Sequence, residues 1–580
     1  MMPGPPLDSQ VFRGAQSSRT RRTTYASTVT APVCCTQAHF IRFLMWTRLT
    51  SFTTRIAERK IQVNTTNKKI KVLLEMRPAL EGFAGIPQEV RLLFRGLRKI
   101  ESVDVEGMLQ TSHRRLARGT PSEEKGFFWK RLSPARRYGR YSNVIISMME
   151  KPYRNILEVS LDWLQKRSES LALQASLTTN IGQIRLGRFE SRSFEDFTWR
   201  TLFAKTLPAS DFALVAPANH RICPIPWNTM HTVGLGTLNW RTTPKYPRLD
   251  TRGFDILIGQ TPYPARISES TAMVIRYHDA IPVFMPHTIP DKSLHQATHF
   301  YALMSNVRSG AWFACVSEAT RQDLLRLFPE AAERSVTIHN MVSHHYFLED
   351  SPFERVPQII RARLHEGDKA KGVDIEPNFF SLKEKENFYR KSLAGNFKYL
   401  LIVSTIEPRK NHSRLLAAWE VIKSDIDPDL KLVVVGGLGW DYTPIMRAFR
   451  SWIDRGELFM LSSVPSPDLR VLYRHAAATV CPSLGEGFDF SGVEAMRCGG
   501  LVVASDIPVH CEVYEDAAEY FDPYSTISAV KALKKVLYEP DSLQVQERLR
   551  QRGEEVSSRY LPEKILPQWE QFLQRVAKTK

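Results

Sequence analysis

From Lys69 onward, short apolar runs alternate with amphipathic stretches, a pattern that the first 68 residues lack. Ile70-Lys-Val-Leu-Leu-Glu75 predicts a buried strand, a loop with Gly82 and Gly85 follows, and Val90, Leu93, Phe94 and Leu97 recur at helical spacing. This is the strand, glycine loop and helix that open an α/β domain. Further strands are predicted at 211–216, 254–259, 271–277, 311–316 and 336–340, with Ser317 placed to cap a helix. Between them, 100–205 begins as a basic region (Arg114, Arg115, Arg118, Lys125, Lys130, Arg131, Arg136, Arg137, Arg140) and continues as an amphipathic helix from Ile156 to Leu173. It reads either as a lid or membrane-facing elaboration or as a solvated surface insertion.

The second half is more regular. Apolar, β-branched runs at 399–404, 430–436, 458–462, 478–482 and 501–505 alternate with helical patterns near 413–423, 444–455, 467–477 and 492–498. That alternation predicts parallel strands covered on both faces, with ligands held beyond the carboxyl ends of the strands. The charged stretch from Pro352 to Gly395 reads as an irregular connection between the two halves.

A chain of 580 residues calls for two or more domains, and its 43% apolar and 24% charged residues fit a globular protein. The net charge of +18 points to an anionic partner without choosing between nucleic acid, a membrane face and a phosphorylated substrate. The seven cysteines form no zinc-type pairs and sit mostly in apolar segments, as expected in a reducing cytosol. No apolar run is long enough for a transmembrane helix. The first 65 or so residues, rich in arginine, serine and threonine, read as a disordered tail, a targeting peptide, or sequence ahead of a true start at Met45.

The loops after the strands hold the candidate chemistry. Arg409 and Lys410 follow the 399–404 strand, where a planar guanidinium and a compact ammonium can grip a departing diphosphate. Gly436-Gly437 and Ser463-Val464-Pro465 follow the next two strands and can offer backbone contacts or be ordinary turns. The fourth loop runs from Glu486 to Glu494. Gly487 permits close backbone approach to a ligand, and Glu486 can bind sugar hydroxyls. Ser491-Gly-Val-Glu494 also fits a capping box, so Glu494 is expected as a helix cap, a ligand contact, or both. Asp425-Ile-Asp427 has the metal-nucleotide DxD form but falls between a helix and a strand, and reads as a solvated turn.

Taken in order, Glu407-Pro-Arg-Lys-Asn, Val434-Val-Gly-Gly, Pro482-Ser-Leu-Gly-Glu-Gly-Phe, Glu494-Ala-Met and Val503-Ala-Ser-Asp-Ile-Pro resemble the donor-binding domain of retaining family-4 glycosyltransferases, strongly over 398–540 and more weakly back to Lys69. The resemblance implies a GT-B fold: two Rossmann-like α/β domains facing across a cleft, here with an insertion in the first. The expected layout is a basic, disordered extension over 1–68, an acceptor domain over 69–350, a connection over 351–397, a donor domain over 398–558 and a helix over 559–580 that crosses back. It implies a nucleotide-sugar substrate, no cofactor and no metal. Arg409 and Lys410 would bind the diphosphate, Glu494 the ribose and Glu486 the transferred sugar, with Gly85, Gly487, Phe488 and Val464 around the donor. His278, with Asp279 close by, would lie near the reacting sugar.

Where the family reads Glu-Gly-Phe-Gly-Leu-Pro, this chain has Asp489-Phe-Ser-Gly492, which leaves sugar preference open. The expected function is retaining transfer of a hexose, mannose being one candidate, to a glycan or lipid-linked acceptor in cell-surface polysaccharide or glycolipid synthesis. The expected place is the cytoplasm, with peripheral contact to an anionic inner membrane face and no nucleic-acid partner. The rival readings are an epimerase or phosphorylase of the same fold, or an inactive scaffold that binds membrane or nucleic acid.

Overall fold

The computed structural model describes residues 69–579 apart from 81, 83–84, 122–132, 150–155, 180–181, 366, 368–374 and 396. The N-terminal extension with Met45, Cys34 and Cys35 therefore lies outside the described residues, as do Lys125, Lys130 and Arg131.

The first half contributes β1 (Ile70–Glu75), β2 (Val103–Leu109), β3 (Thr120–Pro121), β4 (Ile184–Arg185), β5 (Gly187–Phe189), β6 (His220–Ile222), β7 (Leu249–Asp250), β8 (Ile256–Gly259), β9 (Ala272–Tyr277), β10 (Trp312–Cys315) and β11 (Ser335–Thr337). Among the described residues nine of these form one sheet in the order β11-β10-β9-β8-β1-β2-β6-β5-β3, parallel except at β5 and β3. Side chains alternate between its faces. Val72 and Leu74 of β1 join one apolar cluster and Leu73 joins another, so the sheet is buried on both sides.

The second half contributes β12 (Tyr399–Val403), β13 (Lys431–Val435), β14 (Leu458–Leu461), β15 (Ala478–Cys481), β16 (Val502–Ser505) and β17 (Ala518–Phe521). These six form a wholly parallel sheet in the order β14-β13-β12-β15-β16-β17. The same division recurs, with Leu401 and Val433 facing one cluster and Leu400 and Ile402 the other.

Both strand orders have a switch point. The first sheet grows from β1 through β2 and β6 on one side, then restarts at β8 on the other side of β1. The second grows from β12 through β13 and β14, then restarts at β15 beside β12. Crevices open at such points because consecutive connections diverge, and ligands bind there. The last helix, Pro562–Lys578, follows the second sheet yet places Ile565, Trp569, Phe572, Leu573 and Val576 in the apolar cluster of the first.

Three sequence expectations need correction. Residues 211–216, read as a strand, are two short helical turns, Ala209–Asp211 and Phe212–Val215, held from outside by Arg95, whose Nε donates to Asp211 at 3.1 Å. Val103–Leu109, read as the start of the insertion, is the strand beside β1. The stretch read as irregular between 352 and 395 contains the helices Arg355–Ala362 and Leu382–Ser392, the second capped by Ser381.

Candidate active site

Two loops meet at the switch point of the second sheet. After β12 the chain makes a short helical turn, Pro408–Lys410, and Asn411 takes a left-handed conformation (φ 56°) that starts the helix His412–Asp425. The Asn411 side chain donates to Pro482 O at 3.0 Å and Pro523 O at 2.9 Å, which fixes this turn against the loops after β15 and β17. Arg409 and Lys410 are thereby held over the neighbouring loop.

Arg409 reaches three acceptors: Glu407 Oε1 at 2.7 Å, Gly485 O at 2.7 Å and Glu486 Oε2 at 2.8 Å. Lys410 Nζ meets the other Glu486 oxygen at 2.5 Å. One carboxylate is thus shared by both cations. Burial works to raise the Glu486 carboxyl, but Arg409 and Lys410 outweigh it and hold the group below its usual range. Burial works against charge on Arg409, and Glu486, Glu407 and Asp279 together overcome it and raise its pKa. Glu407 goes the other way: burial raises its carboxyl in spite of Arg409. Its part was missed in the sequence, although Glu-x-Arg was on view there; the signal is the short loop that folds the two side chains together.

Glu494 stands apart from this cluster. It is buried in the helix Phe490–Arg497, accepts from Gln88 Nε2 at 2.8 Å, and accepts from the Tyr473 hydroxyl at 3.2 Å. Burial raises its pKa to about 7, with the bonds from Gln88, Tyr473 and Tyr346 pulling the other way. The capping-box reading is corrected here. The helix cap is Asp489, whose carboxylate accepts from Ser491 N at 3.2 Å and Ser491 Oγ at 2.6 Å, and Glu494 turns away from that terminus. Asp489 also pairs with His510 Nε2 at 3.2 Å; against burial, that bond and the Lys410 charge keep its carboxyl far below the usual range.

The first domain closes over the loop. A Cβ added to Gly487 would lie 1.9 Å from His278 O, so the close approach that needs glycine is to the facing backbone. His278 is buried, burial and Arg276 hold its imidazole neutral, and its Nε2 has no partner among the described residues. The half-buried Asp279 accepts from Ile281 N at 3.0 Å, and burial raises its carboxyl against the pull of Arg409. Glu512 of the second domain accepts from Glu318 N at 2.6 Å and Ala319 N at 2.8 Å, and so serves the first turn of a first-domain helix. The Trp440 indole donates to Thr288 O at 2.8 Å, a further bridge between the domains.

The remaining candidates are more scattered. Phe488 is buried with its ring against Phe490 and Tyr560. Gly85 precedes the helix Ile86–Leu97 at φ 71°, with open space where a Cβ would point. Val464 follows β14, two strands from β12, and packs half-buried on an apolar cluster. Asp427 of the DxD accepts from the Tyr538 hydroxyl at 2.9 Å.

Residues 383–556 match the family model of the glycosyl transferases group 1. The O-antigen chain mannosyltransferase B of Escherichia coli is 28% identical over 242 residues, which cover 42% of this chain and 53% of that protein. The serotype-specific mannosyltransferase WbdA of Escherichia coli is 32% identical over 145 residues, 24% of this chain and 18% of that protein. The chain thus spans about half the length of the first relative and less of the second. A solved sucrose-phosphate synthase from Thermosynechococcus elongatus is 14% identical, covers 88% of this chain and 100% of its own, and has a TM-score of 0.49. Residues 383–556, which carry the Arg409, Lys410 and Glu486 constellation beyond the strands of the second parallel sheet, are thus similar to the glycosyl transferases group 1.

Proposed function

We propose that the chain transfers a sugar, mannose by analogy with its relatives, from a nucleotide-sugar donor to a hydroxyl of a glycan or lipid-linked glycan, with retention of configuration, in cell-surface polysaccharide synthesis. The observation that carries this reading is the convergence of Arg409 and Lys410 on Glu486 at a switch point within the family-matched region.

In this mechanism the donor diphosphate takes the place of Glu486 on the two cations. The freed carboxylate then accepts from hydroxyls of the transferred sugar. As the bond from the anomeric carbon to the diphosphate oxygen breaks, the electron pair passes to that oxygen, and Arg409 and Lys410 stabilise the charge. The acceptor oxygen bonds the anomeric carbon on the same face and gives its proton to the departing diphosphate. The neutral His278 beside Gly487 positions the sugar, and Glu494 binds the ribose. These side chains supply the positive charge, so the reaction proceeds without a metal; a strict manganese requirement would overturn that.

The acceptor's lipid end suits the insertion. On the helix Pro134–Met149, Tyr141, Val144 and Met148 face the core, while Tyr138, Ile146 and Met149 are exposed alongside Arg136. Apolar side chains beside arginines fit the interface of an anionic bilayer, here its cytoplasmic side. No helix among the described residues is long and apolar enough to cross a membrane.

The test is a screen of GDP-mannose and UDP-sugars for thermal stabilisation, followed by analysis of the anomeric configuration of the product. An inverted product overturns retention. Epimerised or phosphorolysed donor overturns transfer. Equal sedimentation with anionic and zwitterionic vesicles overturns the membrane contact.

A further inference from the structure

The first sheet has its own switch point, between β1 and β8, and it repeats one device of the second. Arg77 Nε donates to Glu75 Oε1 at 2.8 Å, two residues back, just as Arg409 Nη2 donates to Glu407 Oε1 at 2.7 Å. Both carboxylates are buried, Glu75 as the last residue of β1 and Glu407 in the loop after β12, the strands from which their sheets grow. Around Arg409 the next groups are charged. Around Arg77 they are neutral: Thr261 Oγ1 accepts from it at 3.3 Å, and its guanidinium stacks 4.3 Å over the Trp227 ring.

The neutral groups are short of partners. Gln260 is fully buried after β8, its backbone N–H bound to Glu75 at 2.8 Å, and neither atom of its side-chain amide has a partner among the described residues. The same holds for Trp227 Nε1 and for both ring nitrogens of His231, which is 2% exposed and lies 4.1 Å from the Trp227 ring. Buried polar groups nearly always find partners because desolvating them without one is costly. Here such groups gather at the point in the sheet where a ligand crevice is expected. Nearby, Tyr277, the residue before His278, has its hydroxyl 3.3 Å from His299 Nε2.

We propose that, within the expected acceptor domain, Gln260, Trp227 and His231 are the groups that select uncharged sugar hydroxyls on the acceptor. The inference rests on the transferase reading above and adds the chemistry of the acceptor end. A hydroxyl both donates and accepts, which suits an amide, an indole N–H and an imidazole that burial keeps neutral. A phosphate only accepts, so it would leave the Gln260 carbonyl and the acceptor nitrogen of His231 unmet. The cation among the described residues that touches these groups, Arg77, is already matched by Glu75.

Two variants test this, Gln260→Met, which keeps the side chain's length and shape, and Trp227→Phe, which removes the indole N–H. The probes are methyl α-mannoside, mannobiose and mannotriose, with inorganic phosphate as the anionic control. Replacing an amide that has no partner by an apolar group of similar shape leaves the melting temperature unchanged or raises it. At the same time the KM for the oligosaccharide acceptor rises at least tenfold, while stabilisation by the nucleotide sugar stays as in the native chain. Trp227→Phe also removes the fluorescence change that the oligosaccharides induce. Acceptor KM values within twofold of native overturn the inference while transfer itself stands. So does a fluorescence response to phosphate in place of the saccharides, or to none of the probes. Failure of the native chain to bind any nucleotide sugar instead overturns the transferase reading. Should Gln260→Met not fold, Trp227→Phe alone decides.

Discussion

Gln88, on the opening helix of the first domain, donates to Glu494 of the second at 2.8 Å across 406 residues of sequence. The expected ribose ligand is therefore also a bridge between the domains. Its raised pKa, about 7, sets a direction for pH. Between the ordinary carboxylate value of 4.5 and about 7 the folded protein holds a proton on Glu494 that the unfolded chain has lost, so this group's favourable contribution to folding fades as pH rises through 7. Ribose hydroxyls bind best to the ionised form. The donor KM is therefore expected to fall as pH rises from 6 to 8, and Glu494→Gln to flatten that profile and raise KM at pH 8. Steady-state kinetics across this range check both.

Gly487→Ala brings a Cβ to within 1.9 Å of His278 O, which is backbone and cannot swing aside. Overpacking of this kind costs about 1–3 kcal/mol unless the domains part. The expected result is a lower melting temperature, or an expanded particle by small-angle scattering, with transfer sharply reduced in either case.

Asp489 has φ 58°, the left-handed region, at the position where the resembling family carries glycine. Its carboxylate offsets that strain by capping the helix and pairing with His510. Asp489→Ala keeps the strain and loses both partners, and is expected to cost roughly 2 kcal/mol or more, cap loss alone being about 1. Asp489→Asn retains the cap's acceptor and should cost less. Denaturant midpoints at neutral pH rank the two.

Glu512 works as a clamp through Glu318 N, Ala319 N and His339 Nε2. Burial opposes its charge, but these bonds prevail and lower its pKa below 4.5. The stability it contributes is present above that value and is lost as pH falls through its lower folded value. Glu512→Gln is expected to remove about 1–2 kcal/mol at pH 7 and to shrink the loss seen on acidification. Thermal melts at pH 7 and pH 4 compare the two proteins.

The second domain was legible because β-branched runs such as Leu432–Val435 admit one structure, and the loops between them fall where the ligand edge must be. The first domain was less so. Phe212-Ala-Leu-Val215 is an apolar run too short to separate strand from helix by pattern, and Arg95, 116 residues away, decides it. Val103-Asp-Val-Glu-Gly-Met-Leu109 alternates with acids and a glycine, yet sits beside the central strand because Gly107 lies against Met76 and His220. Arg409, Lys410 and Glu486 could be nominated from loop positions. Their sharing of one carboxylate could not, nor could Gln88 against Glu494 or the assignment of the cap to Asp489, because each depends on how distant loops meet in space.

In the proposed reaction Arg409 and Lys410 carry the departing diphosphate. Arg409→Ala would strand Glu407 as a buried charge and leave Glu486 with Lys410 alone, at a cost of about 3–5 kcal/mol. Lys410→Ala and Arg409→Lys are therefore the cleaner probes, since each keeps a cation beside Glu407 as well as beside Glu486. The most direct measurement is transfer of labelled mannose from GDP-mannose to a mannan oligosaccharide by the native chain and by each variant, with folding checked by circular dichroism. The native chain is expected to transfer mannose, and folded Lys410→Ala to lose about a hundredfold or more in kcat. Near-native kcat in both folded variants would contradict that role.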